Sequence, residues 1–113
     1  MSPPATWKLN STKHAFYLDA QRAARDMGLP FTIKLADLPI PPRCPALGLE
    51  LIPGRPKRDP HKPCLILLDP ARGYVPGNVR IVSAAAAALR GIAEPADLRA
   101  VADFIEREVE KQK

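Results

Sequence analysis

The chain has little sulfur, few aromatic residues and no long apolar run. Its two cysteines, Cys44 and Cys64, stand twenty residues apart and no CxxC pair occurs, so the sequence supports neither a zinc knuckle nor a dithiol redox motif. In a reducing compartment two such thiols are read as buried and free, not as a disulfide. No stretch approaches the ~18 apolar residues of a membrane span, and the amino terminus carries no signal-peptide pattern. The expectation is a cytoplasmic protein with no membrane partner. Aromatics make up 5% of the chain, and Trp7, Tyr17 and Tyr74 are the ones able to stack on bases or fill an interface.

Proline and charge are plentiful. Fourteen prolines among 113 residues break long regular structure, and they cluster between Leu38 and Pro76, a region of loops and short strands. The formal charge is +5, but residues 1–90 hold 13 of the 17 Lys and Arg against 6 acids, while residues 91–113 hold 4 bases against 6 acids. Such a basic surplus points to a polyanion such as nucleic acid, because cationic faces gain from counterion release. The length fits one domain with a modest core.

The expected fold class is α+β. Residues 1–10 are read as a flexible start and residues 11–28 as a helix, capped by Ser11 or Thr12 and ended by Gly28 and Pro30. Phe16, Ala20, Ala23 and Met27 form its apolar face, with Lys13, Arg22 and Arg25 largely off it. Phe31, Ile33 and Leu35 alternate as in a short extended segment. The segment "PGRPKRDPHKP" carries Arg55, Lys57, Arg58 and Lys62 against Asp59 and has no hydrophobic residue beyond its prolines, which makes it an exposed basic loop. "CLILLD" and "VRIVS", joined by "PARGYVPGN", describe a β-hairpin with a long connection. The alanines from Ala84 favour a short helix capped by Ser83, so residues 64–90 form a ββα unit. A last helix over residues 95–111 starts at Pro95, with Leu98, Val101, Ala102, Ile105 and Val109 as its core stripe.

Three stretches in this order, "CPALG" from Cys44, "DPARGYV" from Asp69 and "GNV" from Gly77, resemble the phage-type HNH endonucleases, a ββα-metal (His-Me finger) fold. The likeness runs from about Arg22 to about Phe104. It implies a DNA-cutting scaffold of phage origin, with Asn78 bracing the loop that holds Gly73 and Gly77, and with Tyr74 packed in the loop or core. It also implies a carboxylate at position 66 and an amide on the helix near position 87, where this chain has Ile66 and Ala87. Mg²⁺ and similar hard cations require oxygen ligands, and neither residue offers one. No catalytic group, metal or other cofactor is therefore expected.

His61 and Asp69 are the weak candidates for a rescued site, since imidazole is poised near neutral pH for general-base work. Only that alternative, an active endonuclease with displaced ligands, calls for Mg²⁺ or another divalent ion. His14, beside Phe16 and Tyr17, fits a surface or partner contact. The expected function is a catalytically degenerate HNH-fold protein that binds DNA without sequence preference, through Arg55, Lys57, Arg58 and Lys62 and through Arg72, Arg80 and Arg90. An inhibitor or regulator that binds a host or phage protein is the alternative, because Ile and Ala turn the old site apolar.

Overall fold

The computed structural model describes residues 6–112, with the backbone alone for residues 6–8. Any stacking role of Trp7 lies outside the described side chains. Three helices and one antiparallel hairpin follow in the order α1 (Thr6–Met27), β1 (Pro63–Leu67), β2 (Val79–Ser83), α2 (Ala84–Ile92) and α3 (Pro95–Lys111). This is the α+β layout the sequence implies. None of the helices among the described residues is long and apolar enough to cross a membrane.

α1 starts at Thr6, so residues 6–10 are helical, in contrast to the flexible start expected for residues 1–10. Ser11 and Thr12 lie inside the helix, where each costs only about 0.5 kcal/mol relative to Ala, and half-buried Leu9 extends the apolar phase by one turn. Gly28 ends the helix with φ +67°. The buried face is carried by Ala20 and Ala24, with Phe16, Tyr17 and Ala23 beside them. Met27 is exposed instead, because Gly28 turns the chain before that position reaches the core.

The hairpin pairs Pro63 with Ser83, Cys64 with Val82, Leu65 with Ile81, Ile66 with Arg80 and Leu67 with Val79. Residues opposite one another share a face, so Leu65, Leu67 and Val79 look toward α1 while Ile66 and Val82 look toward α2. A helix on each face explains why four of the five β2 residues are buried, with Arg80 the exposed one. Two small cores result: Ala20, Ala24, Ile33, Leu38, Tyr74 and Val79, and Cys44, Leu51, Ile81 and Val82 with Ala86 and Ala87, with Phe16 and Leu65 packed against both.

The segment after α1 docks on the hairpin connection. Tyr74 N–H donates to the Pro30 carbonyl at 2.9 Å and Thr32 N–H to the Tyr74 carbonyl at 2.8 Å, a parallel bridge between Phe31 and Tyr74. The Phe31 ring also meets Tyr17 edge-on at 5.2 Å. Gly73 permits this approach: at φ +77°, an added Cβ would sit 2.8 Å from Pro30 Cδ. The expected alternation stops at Ile33, because residues Leu35–Asp37 form a 3-10 turn held by Lys34 N–H donating to the Asp37 carboxylate at 2.8 Å. Leu35 is exposed there.

α3 begins and ends where the sequence indicates, but its stripe is not core. Val101, Ile105 and Val109 are 58%, 53% and 52% exposed, and the helix contains no buried residue. The radius of gyration, 16.1 Å, exceeds the about 13 Å of a compact chain this long, as expected when one helix stands off the body.

Candidate functional site

Ile66 of β1 and Ala87 of α2 line one open groove of about 560 Å³ together with Leu67, Arg90, Ile92 and Glu94. Strand register places Ile66 opposite Arg80, and α2, beginning directly after β2, folds back over that face. The two positions at which the resemblance expects metal ligands are therefore brought together. They offer that groove a sec-butyl group and a methyl group and no donor atom. Among the described residues no group of three or more His, Cys, Asp or Glu side chains is placed to hold a metal ion. The residues present do not fit the hard divalent cation of an HNH centre, whose ligands are oxygens.

His61 and Asp69 do not meet. They flank opposite ends of β1, and the five-residue strand alone separates them by about 13 Å at ~3.3 Å per residue. His61 Nδ1 bonds the Glu50 carbonyl at 2.9 Å; a carbonyl only accepts, so Nδ1 carries the proton of the neutral ring and Nε2 is left as its basic nitrogen. The His61 backbone N–H donates to Asp59 Oδ1 at 2.8 Å and its carbonyl accepts from Ile52 N–H at 2.9 Å. Asp69 is exposed, and its Oδ1 accepts from Ala71 N–H at 3.0 Å in a local turn. The ring orients the loop, and the carboxylate shapes the turn.

Asn78 fills the bracing position. It is fully buried; its Oδ1 accepts from Asp69 N–H at 2.9 Å, and its Nδ2 donates to the carbonyls of Asp69 at 2.9 Å and Gly73 at 2.7 Å. One amide thus closes the long connection between the strands. Gly73 and Gly77 both take positive φ there, but only Gly73 is pressed against another segment.

The seven basic residues fall into separate groups. Lys57 and Arg58 are exposed and Lys62 half-buried on the loop that precedes β1, and Arg55 sits 3.9 Å from Asp59. Arg72 is exposed on the connection at the far end of the hairpin. The Arg80 guanidinium folds back onto the carbonyls of Val79 at 2.7 Å and Gly77 at 3.3 Å. Arg90 is drawn into the groove, 3.8 Å from Glu94. Asp97 lines the same groove, so the groove is flanked by acids.

The start of α2 is closed to anions. Ala84 N–H donates to the Lys62 carbonyl at 2.8 Å, Ala85 N–H to the Pro60 carbonyl at 3.4 Å and Ala86 N–H to Ser83 Oγ at 3.2 Å. Three donors that a helix start commonly offers to phosphate are thereby satisfied within the chain.

One arrangement was not legible in the sequence. Residues 44–48 form a knuckle in which Leu47 N–H donates to Cys44 Sγ at 3.4 Å and Gly48 N–H to the Cys44 carbonyl at 2.9 Å. The sulfur also accepts Ser83 N–H at 3.2 Å. Burial pushes this thiol up, and hydrogen bonds from Ser83, Leu47 and Ala46 outweigh it, so that it ionises at about 7. Cys64 moves the other way: burial raises its thiol against the pull of Lys62. Both cysteines are free. The only hint in the sequence was the "CPALG" turn itself. Comparison with protein-family models, with curated proteins and with solved structures returns no match.

Proposed function

We propose that this chain is a cytosolic, non-cleaving protein of the HNH type that holds duplex DNA by its phosphates, without sequence preference. The observation that supports it best is the loop before β1, where Lys57, Arg58 and Lys62 have no acidic partner among the described residues. Free cations of this kind release counterions on meeting a phosphate backbone. The groove speaks against cleavage on the chemistry of its lining, since Ile66 and Ala87 hold no metal and activate no water. Arg80 and Arg90 contribute less than their charge implies, being engaged with backbone carbonyls and with Glu94.

A second reading has its own support. Ile66, Leu67, Ala87 and Ile92 give the groove an apolar floor that suits a protein ligand better than a phosphate. Fluorescence anisotropy of a labelled duplex across a salt series separates the two, because phosphate-led binding weakens steeply with salt and apolar contact does not. The expected result is a steep slope that flattens by about 0.9 per lost contact when Arg55, Lys57, Arg58 and Lys62 are changed together to Ala. Equal binding by that variant, or plasmid nicking with Mg²⁺, Mn²⁺ or Ni²⁺ that disappears in His61→Ala, overturns the proposal.

A further inference from the structure

We propose that the apolar stripe of α3 is a self-association surface, covered in solution by α3 of a second copy of this chain lying antiparallel to it. The inference stands on α3 alone and does not depend on DNA binding. Leu98, Ala102, Ile105 and Val109 recur at spacings of four, three and four, which is the seam of a two-helix pair. Val101 widens it on one side. None of the five belongs to either core of the body, and three of them are more than half exposed. A 17-residue helix is about 25 Å long, and a lone helix of this length is marginal in water unless its apolar face is covered.

The side chains favour an antiparallel partner. With a two-fold axis passing between Asp103 and Phe104, each Ala102 lies opposite an Ile105 and each Leu98 opposite a Val109, so every layer sets a larger side chain against a smaller one. The same register brings Arg99 of each copy beside Glu106 of the other, on both sides of the axis. Neither Arg99 nor Glu106 has an ion-pair partner among the described residues. A parallel pair would instead set Ala102 on Ala102, leaving a gap, and turn Glu106 toward Val101. It would also place two bodies side by side, each bearing the surplus of 13 bases over 6 acids found in residues 1–90. The antiparallel pair holds them at opposite ends of the helices. The result is an isologous contact of two-fold symmetry, at the small end of stable interfaces.

Sedimentation of the full chain from low micromolar to about 500 µM, the range in which small interfaces assemble, tests this. The mass is expected to climb from 12.3 kDa toward twice that value. Ile105→Glu should hold it at the monomer value throughout, with the far-ultraviolet circular dichroism of the parent at low micromolar concentration, where both are monomers. Arg99→Glu and Glu106→Arg should each weaken the dimer about tenfold. Mixing those two variants should restore parental affinity, since each copy then carries the complement of the other. A monomer at every concentration overturns the proposal, as does a dimer indifferent to Ile105→Glu. Single charge variants that mix without recovery overturn the antiparallel register.

Discussion

The sulfur of Cys44 accepts the backbone N–H of Ser83 at 3.2 Å, tying the knuckle at residues 44–48 to the residue that caps α2. A thiolate accepts such a bond better than a thiol does, and against the opposing effect of burial the Ser83 side chain and N–H, with the N–H groups of Leu47 and Ala46, bring Cys44 down to about 7. Its folded value lies below the ordinary thiol value, so the ionised form is the one the fold favours. The contribution is absent below pH 7, grows as pH climbs toward 9 and is complete above that. Urea unfolding at about pH 6 and about pH 9 should differ by up to about 2–3 kcal/mol from this group. Cys44→Ala should remove the difference together with a thiolate absorbance step near pH 7, while Cys64, whose thiol is raised, titrates later.

Removing the amide that closes the hairpin connection should be costly. Asn78→Ala deletes three hydrogen bonds from a fully buried side chain and leaves the Gly73 carbonyl with only the longer bond from Val75 N–H at 3.1 Å. Water can replace the bonds near exposed Asp69 but not all of them. The expected loss is about 2–3 kcal/mol, read as a lower urea midpoint at unchanged slope.

Two glycines with the same backbone angle should respond differently to alanine. Gly48 and Gly73 both have φ +77°, but a Cβ at Gly48 meets open space, whereas at Gly73 it meets Pro30 at under 3 Å. Gly48→Ala should cost about 1 kcal/mol, the penalty of the left-handed region. Gly73→Ala should cost distinctly more, about 2–4 kcal/mol, because Pro30 is backbone-locked and must shift. Thermal unfolding of the pair against the parent gives the comparison.

Placing donors in the groove tests whether its geometry suits a cation. Ile66→Asp with Ala87→Asn places two oxygen-bearing side chains on the lining that Ile66 and Ala87 share. The double variant should melt below the parent without metal, since Ile66 also packs against the second core. Millimolar Mn²⁺ should raise its midpoint and leave the parent unmoved, a ligand-linked gain of about 2.7 kcal/mol when metal stands at a hundredfold over its dissociation constant. No shift with metal would mean the groove has the right residues nearby but the wrong spacing.

What the sequence made legible is what local chemistry decides. Strand β2, the Ser83 cap, the start of α3 at Pro95 and the exposed loop with Lys57 and Arg58 are each written in a short run of residues, and each lies where that run indicates. The misses have one physical source. Periodicity tells which face of a helix is apolar and nothing about what covers it, so the stripe through Ile105 has the pattern of a core face and is exposed. The same rule puts Met27 on the apolar face, and Gly28 turns the chain there and leaves it exposed. His61 and Asp69, the candidates for a rescued site, stand at opposite ends of β1, and the extended strand between them keeps them apart. The Cys44 link to Ser83 spans 39 residues, and no window of local sequence contains it.

The docking of Pro30 on Gly73 changes what counts as a unit in this chain. Phe31 bridges to Tyr74 at that contact and meets Tyr17 of α1, and the second core is completed by Cys44 and Leu51, which lie well before β1. A peptide cut to the hairpin and α2 would therefore keep two strands and nine helical residues while losing most of the apolar surface that pins them, and isolated hairpins are marginal at best in water. The stretch that carries the ββα unit is shorter than the stretch that can stand up by itself. Transplanting the unit into another protein would have to carry residues from α1 onward as its foundation.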